Sequence, residues 1–187
     1  PISVIGTPKD KKELSFEDDF KTGEKNNWVN FGGSWQQQNG KYYAHSTGVK
    51  GMKSIATATN FSDFTFTTSI RVEDDNSEGG MVFRVNNASD GADIFQGYYL
   101  GISTAGRIIL GKSNNAWTQI KAVDYAIQKQ KKYEVKVVAK GSLIQVFVED
   151  MRTPKIEVND ISFQSGSIGL RAYGGETVIF EKVAVKL

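Results

Sequence analysis

The sequence predicts an all-β domain, folded as a two-sheet antiparallel β-sandwich of the jelly-roll kind. Many short segments alternate apolar and polar residues with the two-residue period of a strand. Gly, Asn and Asp interrupt these segments, and the chain has 19 glycines but only 3 prolines. The only helical candidate is about one turn within residues 124–129. The length of 187 residues suits one domain of this class.

The alternation predicts a series of strands, which in chain order are residues 14–20, 34–38, 41–46, 54–59, 63–73, 78–85, 96–103, 107–112, 117–123, 132–140, 143–149, 153–158, 167–173 and 177–187. Asn39-Gly40 is a strong hairpin signal between the second and third of them. Residues 27–33 are predicted to form a loop. We expect a single domain over residues 14–187, preceded by a linker remnant or surface segment at residues 1–13.

The charge balance excludes several classes of partner. The chain has 23 Lys and Arg against 21 Asp and Glu, and the two signs are interspersed. The longest basic run, at residues 129–132, is typical of a solvated turn, so no nucleic-acid partner is expected. No apolar run approaches the ~20 residues of a membrane-spanning helix, and no signal peptide is recognised. The lack of cysteine excludes disulfides, thiolate zinc sites and cysteine nucleophiles.

The strand at residues 78–85 carries an arginine in its middle. Alternation places Met81, Phe83 and Val85 on one face and Arg84 on the other. A guanidinium group on a sheet face is costly unless that face is wet or provides hydrogen-bond acceptors. We therefore expect one face of this strand to build the core and the other to present a charge.

Three predicted strands share this division into an apolar face and a second face of different character. The residues on the second face are Arg84 with Val82, Tyr99 with Gly101, and Arg171 with Gly169 and Tyr173. If the strands are neighbours, these residues line one shallow depression, in which glycine leaves room for a ligand. Arginine offers a fixed fork of donors for vicinal hydroxyls, and tyrosine offers a flat apolar wall. Flanking acceptors would be Glu78, Asp93 and Gln96. Alternatively, the arginines only pair with surface acids such as Glu78 and Glu176.

Six motifs resemble the laminin-G/concanavalin-like jelly rolls that are appended to bacterial carbohydrate enzymes. The motifs are Phe16-Glu17-Asp18-Asp19-Phe20, Gly33-Ser34-Trp35, Phe61-Ser62-Asp63-Phe64, Gly79-Gly80-Met81-Val82-Phe83-Arg84-Val85, Gly97-Tyr98-Tyr99-Leu100-Gly101-Ile102 and Gly166-Ser167-Ile168-Gly169-Leu170-Arg171-Ala172-Tyr173-Gly174. Within that group the chain resembles carbohydrate-binding module family 66 over about residues 14–187.

This resemblance implies a secreted, non-catalytic module that binds terminal non-reducing β-fructosyl units of fructans such as levan, with inulin as a second candidate. It also implies a covalently linked catalytic domain, an exo-β-fructosidase (levanase). The implied site consists of Arg84 and Arg171, with Glu78, Asp93, Gln96 and Tyr173 as companions. Two alternatives stay open, a glycoside-acting jelly-roll hydrolase and a laminin-G-like protein-interaction domain.

Other constellations are weaker. No cofactor is expected to be required, but Glu17, Asp19 and Glu181 are a candidate structural Ca²⁺ site, because the two chain ends of a sandwich often pair. No carboxylate pair has the context of a glycosidase motif, so no catalytic residue is predicted. The only histidine, His45, is interpreted as structural or solvent-exposed. Trp35 is expected in the core, and Trp117 is retained as an additional sugar contact.

Overall fold

The computed structural model describes residues 14–23, 27–56 and 58–187, so the predicted linker at residues 1–13 lies outside the described residues. These ranges contain fifteen strands: β1 Leu14–Asp18, β2 Trp28–Phe31, β3 Ser34–Gln38, β4 Lys41–His45, β5 Gly51–Ala56, β6 Phe64–Val72, β7 Glu78–Asn86, β8 Gln96–Ser103, β9 Arg107–Asn114, β10 Trp117–Asp124, β11 Lys132–Lys140, β12 Leu143–Val148, β13 Ile156–Asn159, β14 Ser167–Tyr173 and β15 Thr177–Lys186. No helix among the described residues is long and apolar enough to cross a membrane.

The strands form two antiparallel sheets, which confirms the predicted sandwich. The seven-stranded sheet has the order β10-β9-β8-β7-β14-β5-β2. The eight-stranded sheet has the order β13-β12-β11-β6-β15-β4-β3, and β1 pairs with β15 at one side of that path. The three strands predicted to carry the polar depression, β7, β8 and β14, are therefore consecutive neighbours in one sheet.

The main core lies between the two sheets. Phe64 of β6 packs edge-on against Phe83 of β7 with ring centres 6.0 Å apart, so the contact joins the sheets. Trp35 is only 5% exposed and stacks on Phe180, which confirms its predicted place in the core. Alternation explains this arrangement, because every second residue of each central strand points between the sheets.

Residues 28–31 form a strand, so the prediction of a loop over residues 27–33 is wrong there. β2 pairs with β5 at the edge of the seven-stranded sheet. Its Trp28 is buried while Val29 is 44% exposed. The backbone partners of β2 lie more than twenty residues away in the sequence, so its short local pattern did not indicate a strand.

The predicted helical turn within residues 124–129 is also absent. Its backbone amides have partners outside any helical pattern, since the Tyr125 amide donates to the Gly106 carbonyl and the Gln128 amide donates to the Tyr133 hydroxyl. Ile127 is buried in the main core, which holds the segment extended. Packing of one apolar side chain has outweighed local helix propensity.

A loop at residues 87–95 covers part of the outer face of the seven-stranded sheet. Its Phe95 is fully buried and forms a small second cluster with Ile55, Val82, Val85 and Tyr99. Central strands of this sheet are therefore buried on both faces at this point. The loop also places its polar backbone groups over the sheet, where they contact charged side chains.

Candidate functional site

Arg171 is the centre of the polar groups on the outer face of the seven-stranded sheet. Its side chain is 3% exposed, and the guanidinium group donates from Nε and Nη2 to the carbonyl of Ala92 at 3.2 and 3.1 Å. Nη2 also donates to Asp93 Oδ1 at 2.9 Å. The loop at residues 87–95 thus supplies the acceptors, and they hold the guanidinium plane in one orientation.

Tyr99 of β8 forms the floor beneath Arg171. The guanidinium carbon lies 4.4 Å from the centre of its ring, a cation–π contact. A side chain at Gly80 or Gly101 would collide with this ring, since an added Cβ would lie 2.6 Å from Tyr99 Cε2 or 2.7 Å from Tyr99 Cζ. The expectation that Gly101 leaves room for a ligand is therefore wrong, because the tyrosine ring fills that space.

Glu78 of β7 is a partly buried carboxyl group at the edge of this floor. The hydroxyl of Tyr99 donates to its Oε1 at 3.3 Å. Burial raises the pKa of Glu78 above its ordinary value, and Arg171, the Tyr99 hydrogen bond and Arg107 oppose the rise without cancelling it. Glu78 therefore accepts a proton at a higher pH than an exposed glutamate.

An open pocket of about 170 Å³ lies over these groups, and the residues that line it are Glu78, Asp93, Arg107, Ile109, Trp117, Gln119, Arg171 and Tyr173. Its lining extends across the sheet from β10 to β14. Trp117 packs edge-on against Tyr99 with ring centres 5.8 Å apart and remains 37% exposed. Tyr173, on the far strand, lies with its ring centre 5.2 Å from the Arg171 guanidinium. The pocket thus has charged groups at its centre and an aromatic ring at each end.

The structure brings most of the predicted site residues together. Glu78, Asp93, Arg171, Tyr173 and Trp117 line the pocket, and Tyr99 lies beneath it. Sequence reasoning missed three lining residues, Arg107, Ile109 and Gln119. A signal for them existed, since Arg107 and Ile109 share one face of β9, and Gln119 lies two residues after Trp117 on β10.

Arg84 does not belong to this pocket, and its predicted place beside Arg171 is wrong. The pairing of β7 with β8 shifts register between Phe83 and Asn86, and Arg84 has a φ of 50°. This β-bulge reverses the alternation, so that Val85 packs in the outer cluster and Arg84 leaves the outer face.

The displaced guanidinium of Arg84 is buried among loops at one end of the sandwich. It donates to the Ser62 carbonyl at 3.0 and 2.7 Å, to the Phe163 carbonyl at 3.1 Å and to the Gly141 carbonyl at 3.0 Å. Asp63 lies 3.7 Å away and provides the nearest negative charge. Arg84 therefore acts as a clamp that joins three loops, and it lines a separate cavity of about 270 Å³.

Gln96 is also outside the pocket, although its strand contributes Tyr99. Its side-chain oxygen accepts from Asn87 at 2.8 Å, and its amide donates to Asn114 at 2.9 Å. These contacts occupy both polar ends of the side chain. Gln96 thus ties the start of the loop at residues 87–95 to β9 and does not line the site.

The predicted calcium ligands are not gathered into one cluster. Glu17 pairs with Lys182 at 3.7 Å, Asp19 with Lys21 at 3.7 Å, and Glu181 with Lys132 at 3.1 Å. Within residues 14–23, 27–56 and 58–187, no group of three or more carboxylate or histidine side chains is arranged to hold a metal ion. Each of the three carboxylates forms its own ion pair with a lysine.

The fold is shared with several proteins of known structure. A carbohydrate-binding module of family 66 from Bacillus subtilis is 22% identical, with a TM-score of 0.76 over 86% of this chain and 96% of its own. A galectin-like protein of unknown function from Bacillus subtilis is 11% identical, with a TM-score of 0.77 over 92% and 95%. A lichenase from a mouse hindgut metagenome is 10% identical, with a TM-score of 0.68 over 91% and 98%. These likenesses confirm the jelly-roll fold that the sequence motifs indicated.

Sequence comparison identifies the family. No curated protein is similar enough in sequence to match the chain. The profile of the 3-keto-alpha-glucoside-1,2-lyase-like domain, in contrast, matches residues 15–186. Because this match spans both sheets and every lining residue of the pocket, the chain belongs to the 3-keto-alpha-glucoside-1,2-lyase-like domain family.

Proposed function

We propose that this chain is a non-catalytic carbohydrate-binding module, and that the Arg171 pocket binds the terminal unit of a glycan. The observation that carries this proposal is the arrangement of Arg171 and Asp93 between two aromatic rings, Trp117 and Tyr173. A charged pair fixed in one orientation can donate to one sugar hydroxyl and accept from its neighbour. The ring faces provide the apolar surface against which the C–H groups of a sugar pack.

The size of the pocket favours recognition of a chain end. Its volume of about 170 Å³ is smaller than the ~300 Å³ at which pockets for drug-sized ligands begin. One sugar ring therefore fits, and the following units would lie in solvent. Glycans with many non-reducing ends would gain apparent affinity through avidity when several modules are displayed together.

The fructan specificity is the finer part of the proposal and rests on the resemblance of the sequence motifs. We take the ligand to be the terminal non-reducing β-fructosyl unit of levan or inulin. In this view the module is secreted and directs a covalently linked exo-β-fructosidase domain to its polysaccharide. The likeness in fold to a carbohydrate-binding module from Bacillus subtilis supports the general class of ligand.

Isothermal titration with levan, inulin and levanbiose tests both levels of the proposal. We expect binding heat with at least one fructan, with a millimolar to high-micromolar Kd for a single site of about 12 ligand heavy atoms. Arg171→Ala should abolish the heat, whereas Arg152→Ala, at an exposed arginine outside the pocket, should preserve it. Binding to glycans other than fructans, without binding to any fructan, would refute the proposed fructan specificity. If the protein also binds no glycan on a broad array, the proposal of sugar binding is refuted.

A second candidate function is lyase chemistry on a 3-keto-glucoside, and the buried carboxyl of Glu78 favours it. The family is described as 3-keto-alpha-glucoside-1,2-lyase-like. In such a sugar the C3 ketone makes the C2 proton acidic, so a carboxylate can remove that proton. Glu78 would take the proton, and Arg171 would stabilise the enolate oxygen. Collapse of the enolate would then form the C1=C2 double bond as the C1–O bond breaks, and the leaving alkoxide would take a proton from water. A carboxyl group with a raised pKa is a stronger base than an exposed one.

Incubation with methyl 3-keto-α-glucoside separates the two candidates. Release of methanol by the purified chain, lost in Glu78→Gln, would favour the lyase. Binding of a fructan without any release of methanol would favour the binding module. The exposed Glu157→Gln is the matched control, since this carboxylate lies on β13 of the other sheet.

A further inference from the structure

Lys53 of β5 is a buried cation that the proposed binding site does not include. Its side chain is fully buried, and it lies directly opposite Arg171 in the pairing of β5 with β14. Within the described part of the chain, its ammonium group makes one hydrogen bond, to the carbonyl of Gly91 at 2.6 Å. The ring centres of Phe31 and Phe95 each lie 5.8 Å from Nζ.

Lys53 and Arg171 bind consecutive carbonyls of one loop. Lys53 holds the carbonyl of Gly91, and Arg171 holds that of Ala92 and the carboxylate of Asp93. Asp93 is the residue of this loop that lines the pocket. The two cations therefore fix three successive residues, and the last of these carries the acceptor offered to a ligand.

The free-energy cost of burying this ammonium group indicates that its charge has a function. Burying an ammonium group between two phenylalanines, beside another cation, is unfavourable in itself. A methionine would fill the same space between Phe31 and Phe95 without that cost. Besides the attraction of its charge to the two rings, the lysine provides what a methionine cannot, a charge-assisted hydrogen bond to the Gly91 carbonyl.

We infer that Lys53 is a positioning residue of the Arg171 pocket, and that its ammonium group holds Gly91 and thereby keeps Asp93 in place. The inference rests on the proposed function only for its effect on sugar affinity. The effect on the loop itself follows from the contacts of Lys53 alone.

The surrounding charges make this contact sensitive to pH. Arg171 of β14 and two carboxylates of the loop, Asp90 and Asp93, act on Lys53. Burial and the nearby Arg171 lower the pKa of Lys53 to about 8, and the two carboxylates only partly oppose this. Above that pH the amine is neutral and donates a weaker hydrogen bond, so we expect the loop to loosen.

The fold as a whole should respond to the same titration in the opposite direction. Unfolded chains keep the lysine proton up to the ordinary pKa of 10.5, whereas the folded chain releases it near pH 8. Between these values the unfolded state binds more protons, so the contribution of Lys53 to the free energy of unfolding rises with pH. Loss of loop order accompanied by a gain in global stability distinguishes local loosening from general unfolding.

Hydrogen exchange measures the loop without any ligand. Lys53→Met should lower the protection factors of backbone amides in residues 88–95 about tenfold at pH 7, and the exposed Lys140→Met should leave them unchanged. In the unmodified protein the same protection factors should fall between pH 7 and pH 9. This second measurement remains available if Lys53→Met does not fold. Protection that is unchanged by both the substitution and the pH would overturn the inference.

Titration with levanbiose then measures the effect on binding. Lys53→Met should weaken binding between about three- and tenfold and remove the change in affinity between pH 7 and pH 9. A merely structural role would lower stability without removing that pH dependence. If the unmodified protein binds no fructan, the proposed function fails, while the exchange experiment still decides the role of Lys53.

Discussion

The guanidinium carbon of Arg171 lies 4.4 Å from the centre of the Tyr99 ring, and the two side chains are 3% and 1% exposed. Because both side chains are buried and held by contacts within the protein, their mutual geometry does not require a ligand. Tyr99 holds the guanidinium from below, and the loop carrying Asp93 holds it from the side. The site is thus organised before a ligand arrives, which reduces the entropy lost on binding.

Substitution of Tyr99 separates the contribution of its ring from that of its hydroxyl. Tyr99→Leu removes the cation–π partner of Arg171, and we expect the Kd for a bound glycan to rise about two- to thirtyfold. Tyr99→Phe keeps the ring and loses only the 3.3 Å hydrogen bond to Glu78, so it should bind nearly as well as the unmodified protein. Titration calorimetry with both variants measures this difference. Equal losses in the two variants would show that the hydroxyl, and not the ring, matters.

The raised pKa of Glu78 predicts a pH-dependent effect on stability. Its carboxyl favours the protonated form in the folded state, so its contribution to stability is full below the ordinary pKa of 4.5 and is lost as pH rises through the higher folded value. Glu78→Gln should therefore raise the melting temperature relative to the unmodified protein at pH 7 and change it little at pH 4. Thermal unfolding at both pH values measures the effect, with the exposed Glu157→Gln as control. A stabilisation by Glu78→Gln that is equally large at pH 4 would contradict this account.

Arg84 should matter for folding and not for binding. Arg84→Met leaves the carbonyls of Ser62, Gly141 and Phe163 without this donor, and at about 1–3 kcal/mol for each unsatisfied buried acceptor we expect a loss of about 3–5 kcal/mol in the free energy of unfolding. Urea denaturation measures this loss, and Arg152→Met, at an exposed position, should change the free energy by less than about 0.5 kcal/mol. Glycan affinity of the folded Arg84→Met protein should be unchanged. A large loss of affinity would place Arg84 back in the binding site.

Alternation in the sequence was sufficient to predict the sandwich and the central strands. β8, β11 and β14 coincide with their predicted bounds, because each buries one regular face in the main core. Alternation was also sufficient to predict that Tyr99 and Arg171 lie together, since neither β8 nor β14 is interrupted between its apolar residues.

Two features lay beyond the local pattern. The bulge at Arg84 adds one residue to the ladder, and every alternation argument reverses after it. The burial of Lys53 depends on the loop at residues 87–95, which lies more than thirty residues further along the chain. A lysine in a short strand looks solvent-exposed in sequence, because nothing nearby indicates the loop that covers it.

Gly101→Ala tests whether the glycine at this position leaves space for the Tyr99 ring and not for a ligand. An added Cβ would lie 2.7 Å from Tyr99 Cζ, so the ring must move away from its place beneath Arg171. We expect a loss of about 1–3 kcal/mol in stability together with weaker glycan binding. In a Tyr99→Leu background the same substitution should cost less, because the shorter side chain leaves space for the methyl group. Urea denaturation of the two single variants and the double variant measures this coupling, and strictly additive losses would mean that Gly101 and Tyr99 do not compete for the same space.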